Sequence, residues 1–567
     1  MKSENKNCQN CKQDFTIESE DFNFYEKIKV PSPSWCPECR MIRRMACHNG
    51  WNLFYRNCDK CGKRTLSMYP PKQKITVYCP LCWWADDWDG TEYAMDYDSN
   101  HSFLEQWKEL SEKTPYVSLE TTYLNLKNCD YSNSISYSKN CTLAIFADFC
   151  ENVYLSSILR GAKDTADSLR IFDSELCYGS ISQKRAYRVF YSEECDSCTE
   201  VWFSRNCYGC TNCIGCVNLR GSSYKIWNIQ YTKEEYFKKF KELKLDTRSG
   251  VDTLQKEAKV FSDKFPHREY SGNTKNLNVT GEYVYSSKNC KDVYMCSGAE
   301  NCKYCQLITV HSAKDCMDYT SWGNNAELIY ESFGVGENVS NSKFSLNCIS
   351  DVINTEYSLW CIGAKNNFGC VNLKRKSYCI LNKEYSKEDY KALCEKIIED
   401  MKNNPYIDEQ RRAWPYGEFF QPGFSKFAYN LSTAYKFFPK TKEEALEKGY
   451  TWNDEEEKQP EATLSGKDLP ETINEVDDLI LKEIISCIIC DRKYKIASLE
   501  FDLLRKMNIP LPTQCLKCRE KSLFDKLQIP RLYNRECMKC GTVIRTSYSS
   551  DRTEIVCCVK CYQQEVY

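Results

Sequence analysis

Sixteen cysteines of this chain form two sets of four Cys-x2-Cys pairs, one at each end, with the same spacing in both. The first set is Cys8/Cys11, Cys36/Cys39, Cys58/Cys61 and Cys79/Cys82; the second is Cys487/Cys490, Cys515/Cys518, Cys537/Cys540 and Cys558/Cys561. Adding 479 carries the first set onto the second with no gap across 75 positions and with 21 identities. That register is an internal duplication. A Cys-x2-Cys knuckle aims two thiolates at one metal, and two knuckles close a tetrahedral four-thiolate site. We therefore expect a double zinc-ribbon module at residues 1–92 and another at 480–567, holding about four structural Zn2+ per chain. Sequential pairing is expected, the first knuckle with the second and the third with the fourth; a cross-braced pairing is the alternative. Gly62 and Gly541 follow the third knuckle, where a tight turn favours positive φ. The spacers of 24, 18 and 17 residues can each hold a β-hairpin.

The remaining composition fits this reading. There are 38 cysteines against four histidines, which leaves few candidates for histidine acid/base chemistry. The start, MKSENKNCQNC, has no apolar core of an export signal, and no apolar run approaches the ~18 residues of a membrane span. We expect a cytoplasmic chain with no membrane partner, because reducing compartments keep thiols available for metal.

Comparing the two modules sorts their neighbours. Cys47 and His48 align with Lys526 and Leu527, and Cys557 with Tyr78, so none of the three is expected to bind metal. Residues shared outside the knuckles include Arg40/Arg519, Arg56/Arg535 and Lys60/Lys539. These are the candidate partner-binding cations. Guanidinium forks can grip a phosphate or carboxylate, and they can equally brace the fold beside an anionic zinc–tetrathiolate centre.

Residues 93–120 read as a linker with an amphipathic helix near 102–113. Residues 121–228 and 279–382 are rich in Asn, Cys, Ser, Tyr and Val, with phrases such as YSKNC, CENVY, CTEVW and CKDVY that recur. Cysteine pairs lie twelve apart at Cys129/Cys141, Cys195/Cys207 and Cys290/Cys302. Each stretch closes on the same motif, CVNLRGSSYKIWNIQYTKEEY from Cys216 and CVNLKRKSYCILNKEYSKEDY from Cys370, with Thr232 and Ser386 placed to cap a helix. Short strands that cannot bury a face alone can do so by stacking. The expected fold is therefore mainly β with short helices: the two end modules flank a parallel β-solenoid in two segments, 121–250 and 279–402, each with a capping helix. A pair of β-sandwich-like domains is the alternative. Residues 251–278 read as a helical connector, 403–453 as an aromatic hairpin and helix unit, and 454–479 as an acidic flexible linker that tethers the C-terminal module loosely.

Cys195, Cys198, Cys207, Cys210, Cys213 and Cys216 lie three or nine apart, a spacing that suggests an iron–sulfur loop or an extra metal site. The second copy has Ala364 and Asn367 at two matching positions, so we expect stacked core thiols there instead.

The phrases CRMIRRMACHNGWNLFYRNCDKCGK, YCPLCWW, the twice-used CVNL motif and FFPKTKEEALEKGYTW resemble an uncharacterised family of cysteine-rich zinc-ribbon and β-repeat proteins of ultra-small, candidate-phyla bacteria. The resemblance spans nearly the whole chain. It implies the architecture and a bacterial cytoplasmic setting, and brings no activity with it. From the residues we expect a non-enzymatic scaffold or adaptor for a protein or ribonucleoprotein partner, with two similar heads offering avidity. RNA or DNA binding is the first alternative, supported by cations and aromatics including Arg43, Arg44, Lys63, Arg64, Trp35, Trp51, Phe54 and Tyr55. With two zinc–tetrathiolate centres each, the modules would carry only about −2 and +2, which is no strong basic stripe. An iron–sulfur redox enzyme using residues 207–216 is the further alternative.

Overall fold

The computed structural model describes residues 2–121, 123–273, 275–454 and 459–566. Two parallel ladders run through its middle. In the first, Lys127, Lys139, Glu151, Lys163, Glu175, Tyr187, Thr199, Thr211 and Ser223 pair in succession, so each coil takes 12 residues. In the second, Leu277, Lys288, Glu300, Lys314, Glu327, Ser340, Ile353, Lys365 and Ser377 pair likewise, with coils of 11 to 14 residues. These are two segments of a β-solenoid, and the sandwich alternative is set aside. Each segment ends in a tight antiparallel hairpin, Ile226 to Ile229 and Ile380 to Lys383. A helix follows: Lys233–Glu242 behind a Thr232 capping box, and Lys387–Asn403 with the Asp389 amide bonded to the Ser386 hydroxyl.

The coil is made by a left-handed residue at every third position. Asn128, Tyr131, Ser134, Tyr137 and Asn140 have φ between 47° and 52°, and the series runs on through the first segment; in the second it recurs with interruptions where a coil departs from 12 residues, as between Leu307 and Asp315. Four such corners per 12-residue coil fold the chain into a four-sided tube. The residue after each corner faces the bore: Ser132, Ile135, Ser138, Cys141, Ala144, Ala147 and Cys150 are all buried. Sides three residues long leave a narrow bore, so the inward series is mostly Ser, Cys, Ala, Val and Thr. Serine also satisfies the buried backbone at the corners, where an orphan amide would be costly. The amides of Ser168, Ser180, Ser192, Ser204 and Cys216 donate to the serine hydroxyl twelve residues earlier at 3.0–3.3 Å. Outside, asparagines occupy one column of corners, where their tolerance of positive φ suits them. Asn128 donates to Asn140, Asn140 to Asn152 and Asn152 to Asp164, at 3.1, 3.0 and 2.8 Å. A matching ladder joins Asn278, Asn289, Asn301 and Asp315.

The expected flexible linker at 454–479 needs correcting. Its residues 455–458 lie outside the described residues, but Leu464–Ser465 pairs with Ile485–Ser486, and Glu471 bonds Arg248 at 3.0 Å. Leu469, Ile473 and Val476, together with Ile480, are buried in the core shared by the first solenoid segment and the C-terminal module. Acidic neighbours dilute these apolar residues in the sequence, yet their side chains carry the packing.

Replacing a bore serine by a large residue should distort the tube. Ser192→Leu is expected to lower unfolding free energy by about 1–3 kcal/mol or more in urea denaturation. Cys210→Ser, which is slightly smaller and keeps a donor for the Tyr208 carbonyl, should cost no more than about 1 kcal/mol.

Candidate metal centres

The four cysteine groups assemble as sequential pairs. Cys8, Cys11, Cys36 and Cys39 bring their sulfurs within 4.8 Å of one another, as do Cys58, Cys61, Cys79 and Cys82; Cys487, Cys490, Cys515 and Cys518; and Cys537, Cys540, Cys558 and Cys561. Each group could hold a metal ion. Half of each centre is a hairpin knuckle: Glu4–Asn7 and Asp14–Ile17 flank Cys8 and Cys11, and Phe54–Asn57 and Arg64–Ser67 flank Cys58 and Cys61. The other half is the first turn of a helix, Pro37–Met45 starting at Cys36 and Pro80–Trp84 starting at Cys79. Proline at the first helical position is preorganised for that start. The 24-residue spacer, expected to hold a hairpin, instead carries helix Ser19–Ile28, ended by Lys29 at φ 57°. The C-terminal module repeats this with helices Ser498–Met507 and Leu516–Phe524, and with Asn508 at φ 56°. Gly62 and Gly541 sit at φ 72° and 71° after their knuckles.

Backbone amides favour thiolate at these sites. The amides of Cys36, Cys79 and Cys558 each donate to the first sulfur of their group, Cys8, Cys58 and Cys537, at 3.2 Å. Burial opposes ionisation of Cys58, but amides of Cys79, Cys61 and Lys60 outweigh it and bring the thiol down to about 7. The same balance lowers Cys487 to about 7 and Cys537 to about 6. Cys39 shares hydrogen bonds with Cys36 and Cys8 and is held well above the usual thiol range. Four thiols this close cannot all ionise without a cation between them. An all-sulfur, four-ligand set fits a soft or borderline metal and leaves no position open to a substrate.

The central cysteines form no such group. Cys195, Cys198, Cys207, Cys210, Cys213 and Cys216 face the bore and are at most 1% exposed. Each thiol donates to the carbonyl two residues back, as Cys195 does to Glu193, Cys210 to Tyr208 and Cys216 to Ile214 at 3.4–3.5 Å. Their spacing of three is the solenoid's own period. Among the described residues, the groups of three or more potential ligands within 4.8 Å are the four end clusters. The extra metal site and the iron–sulfur loop are corrected accordingly.

The partner-binding reading of the shared arginines is also corrected. Arg40 is 1% exposed, with its guanidinium 2.7 Å from Asp318 and bonded to the Trp35 carbonyl. Its counterpart Arg519 bonds Asp167 and Glu500, both at 2.6 Å. The two acceptors are themselves equivalent. Four ladder steps lead from Leu169 to Val217, and four from Thr320 to Val371, so Asp167 and Asp318 hold the same corner of the two solenoid segments. The N-terminal module thus locks onto the second segment, and the C-terminal module onto the first. Arg43 and Arg44 join the first lock, reaching Glu331 at 2.8 and 2.9 Å. Arg56 and Arg535 each brace a loop inside their own module by donating to equivalent carbonyls, Ile75 and Glu554, at 3.1 and 3.0 Å. Lys60 is bonded to Asp87 and Lys539 to Glu565. Trp35, offered as a stacking platform, is fully buried. The acidic partners Asp167, Asp318, Glu331 and Glu500 were not singled out from the sequence, since nothing there marks which carboxylates meet the arginines.

His48 bonds Thr433 at 2.7 Å and Glu120 at 2.9 Å, and stacks between Phe146 and Phe333. The arrangement resembles a hydroxyl–imidazole–carboxylate relay, but the ring is completely buried and ties the two segments together. Glu282 is buried under the C-terminal module, accepting from Ser547 at 2.5 Å and from the Ser271 amide at 2.7 Å.

No protein-family model matches the chain. No curated protein matches it either. Among solved structures, a protein assigned as an acetyltransferase from Desulfovibrio desulfuricans G20 shares 11% identity over 52% of this chain and 77% of its own, with a TM-score of 0.11. That TM-score supports no conclusion about fold or activity.

Three outcomes follow from this geometry. In the full chain, Arg40→Ala should cost about 3–5 kcal/mol by leaving buried Asp318 with Arg44 at 3.3 Å as its remaining cation, with Arg40→Met/Asp318→Leu recovering much of it, as read by thermal melting. Lys60→Ala should stay within about 0.5 kcal/mol. Burial also pushes Glu282 up to about 7. Between the ordinary carboxyl range and that value the folded state binds more protons than the unfolded one, so this group's contribution falls as pH rises through the window. Glu282→Gln should flatten the decline, raising the melting temperature at pH 8 more than at pH 5.

Proposed function

We propose that this chain is a non-enzymatic, zinc-stabilised scaffold that binds a protein or ribonucleoprotein partner through surfaces of its two end modules. The observation that carries the reading is the exchanged lock, Arg40 on Asp318 and Arg519 on Asp167, which fixes both modules to one double solenoid. Two similar surfaces held at a fixed separation suit a repeated or pseudo-symmetric partner, since avidity depends on geometry that allows both to engage. The metal is zinc in this reading: four-cysteine sets are its characteristic structural site, and bound Zn2+ would neutralise part of the thiolate charge. The sixteen knuckle cysteines would hold it, and its role is to fold the modules. No helix among the described residues is long and apolar enough to cross a membrane. A cytoplasmic setting, where thiols stay reduced, suits the unpaired cysteines of the bore.

One observation favours free nucleic acid as the second reading. Arg64 lies 3.9 Å over the ring of Tyr55, which is 42% exposed and hydrogen-bonded to Tyr131. That small patch could stack a single-stranded base.

Metal analysis of the purified protein should give about four zinc per chain, released as pH falls because protons compete for the thiolates. Two or fewer would overturn the zinc assignment. Purification from the native host, with and without ribonuclease, tests the partner. A protein that stays bound after ribonuclease and in moderate salt is expected; RNA alone, lost steeply with salt, would transfer the function to the second reading.

A further inference from the structure

We propose that Lys426 and Trp107 form a binding site for a small monovalent anion, a halide or a short carboxylate such as formate. The site lies where the helix Phe103–Lys113, the 403–453 unit and the second solenoid segment meet. It depends on neither the partner nor the metal of the scaffold reading.

The three elements enclose a cavity of about 30 Å3. A water-sized occupant needs roughly 10–15 Å3 of such space, so a group of two or three heavy atoms fits. The walls are mostly apolar, with Leu346 and Trp360 from the second segment facing Phe420, Phe424 and Phe427. Two donors in these walls have no acceptor. Trp107 is 2% exposed, and its indole N–H has no hydrogen-bond partner. Its ring stacks on Phe420 with centroids 4.0 Å apart, so its face is taken and the N–H on its edge is what it can offer. Lys426 pairs with no carboxylate among the described residues, and its Nζ lies 5.9 Å from the centroid of the Tyr116 ring.

The other polar side chains of the cavity already donate elsewhere. The Cys47 thiol bonds the Arg43 carbonyl at 3.5 Å, the Ser425 hydroxyl that of Ala46 at 2.8 Å, and the Asn347 amide bonds Glu120 at 2.7 Å. The nearby carboxylates are engaged too. Glu112 lies 3.8 Å from Lys108, and Glu120 is held by His48 as well as Asn347. A buried donor without an acceptor and a largely buried ammonium without a counter-ion are both costly. Water could satisfy the indole but would leave the ammonium charge unbalanced. One anion between the two satisfies both, and the aromatic walls limit its size.

The ammonium also gives the site a pH signature. Burial pushes Lys426 down to about 8, with Glu112 and Lys108 as the neighbouring charges. Burial raises Cys47 to about 12 and holds Tyr69 and Tyr116 well above the usual phenol range, so these three stay neutral there. Anion affinity should therefore fall as pH rises through about 8, where the cation is lost.

Thermal melting of the zinc-loaded full chain tests the site at constant ionic strength. Sodium gluconate, whose anion is too large for the cavity, is replaced stepwise by sodium chloride in one arm and by sodium formate in the other. The melting temperature of the wild type should rise and saturate in at least one arm, and the arm with the lower half-saturating concentration identifies the anion class. Lys426→Met, which keeps the stem and removes the charge, should abolish the rise. Trp107→Phe, which keeps the stacking and removes the N–H, should raise the half-saturating concentration about tenfold. The rise should be smaller at pH 9 than at pH 7. The proposal is overturned if neither anion produces a saturating rise, if Lys426→Met retains it, or if it is the same at both pH values. Should Lys426→Met fail to fold, an unchanged half-saturating concentration in Trp107→Phe would overturn it equally.

Discussion

Everything in the middle of this molecule depends on a left-handed corner at every third residue. An L-residue with a side chain adopts that conformation at a cost, so a fold that uses it dozens of times must recover the energy elsewhere. It does so through parallel ladders, inward hydroxyls that bond the corner amides, and outward asparagine ladders that bond coil to coil. The same geometry sets the bore, and the bore sets the composition. Cysteine and serine are abundant in the centre because they are small, fill a narrow tube and can bond a carbonyl, as Cys195 and Ser192 do. Cysteine thus has two unrelated uses in one chain. In the tube it acts as a compact core residue; at the ends it is placed to hold metal.

The second organising contact is the buried arginine–carboxylate pair. Such pairs contribute little net stability compared with apolar packing, but breaking one is expensive. That asymmetry suits a positioning device. Arg40 and Arg519 meet aspartates at the same corner of opposite segments, so the duplication extends beyond the modules to the way they are mounted. The second halves of the modules reach the other way. Asn133 of the first segment donates to the carbonyl of Asn49, and Ser547 donates to Glu282 of the second. Each module therefore spans both segments.

What could be read from the sequence follows the range of the interaction. The knuckles, their sequential pairing, the helix caps at Thr232 and Ser386 and the stacked strands are local or repeated signals, and they were legible. The period of three was present in Cys207, Cys210, Cys213 and Cys216 but resembled a metal loop, because cysteine spacing carries that association more readily than a bore does. Leu469, Ile473 and Val476 sit among acidic residues whose composition suggested disorder. The role of Arg40 could not be settled from sequence, since its acceptor lies 278 residues away and no local pattern marks Asp318.

The crossed mounting also has a consequence for synthesis on the ribosome. The N-terminal module emerges first, yet the surface that neutralises its three buried arginines is not complete until Glu418 has been made. The first solenoid segment waits longer, because Arg519 lies 352 residues beyond Asp167. Until then the face bearing Tyr154, Leu176 and Tyr178 stays open to water. A nascent chain therefore displays apolar surface that is concealed once residues 480–567 have been made and have docked. Quality-control factors that survey such surface would distinguish chains that carry the 480–567 module from chains that lack it.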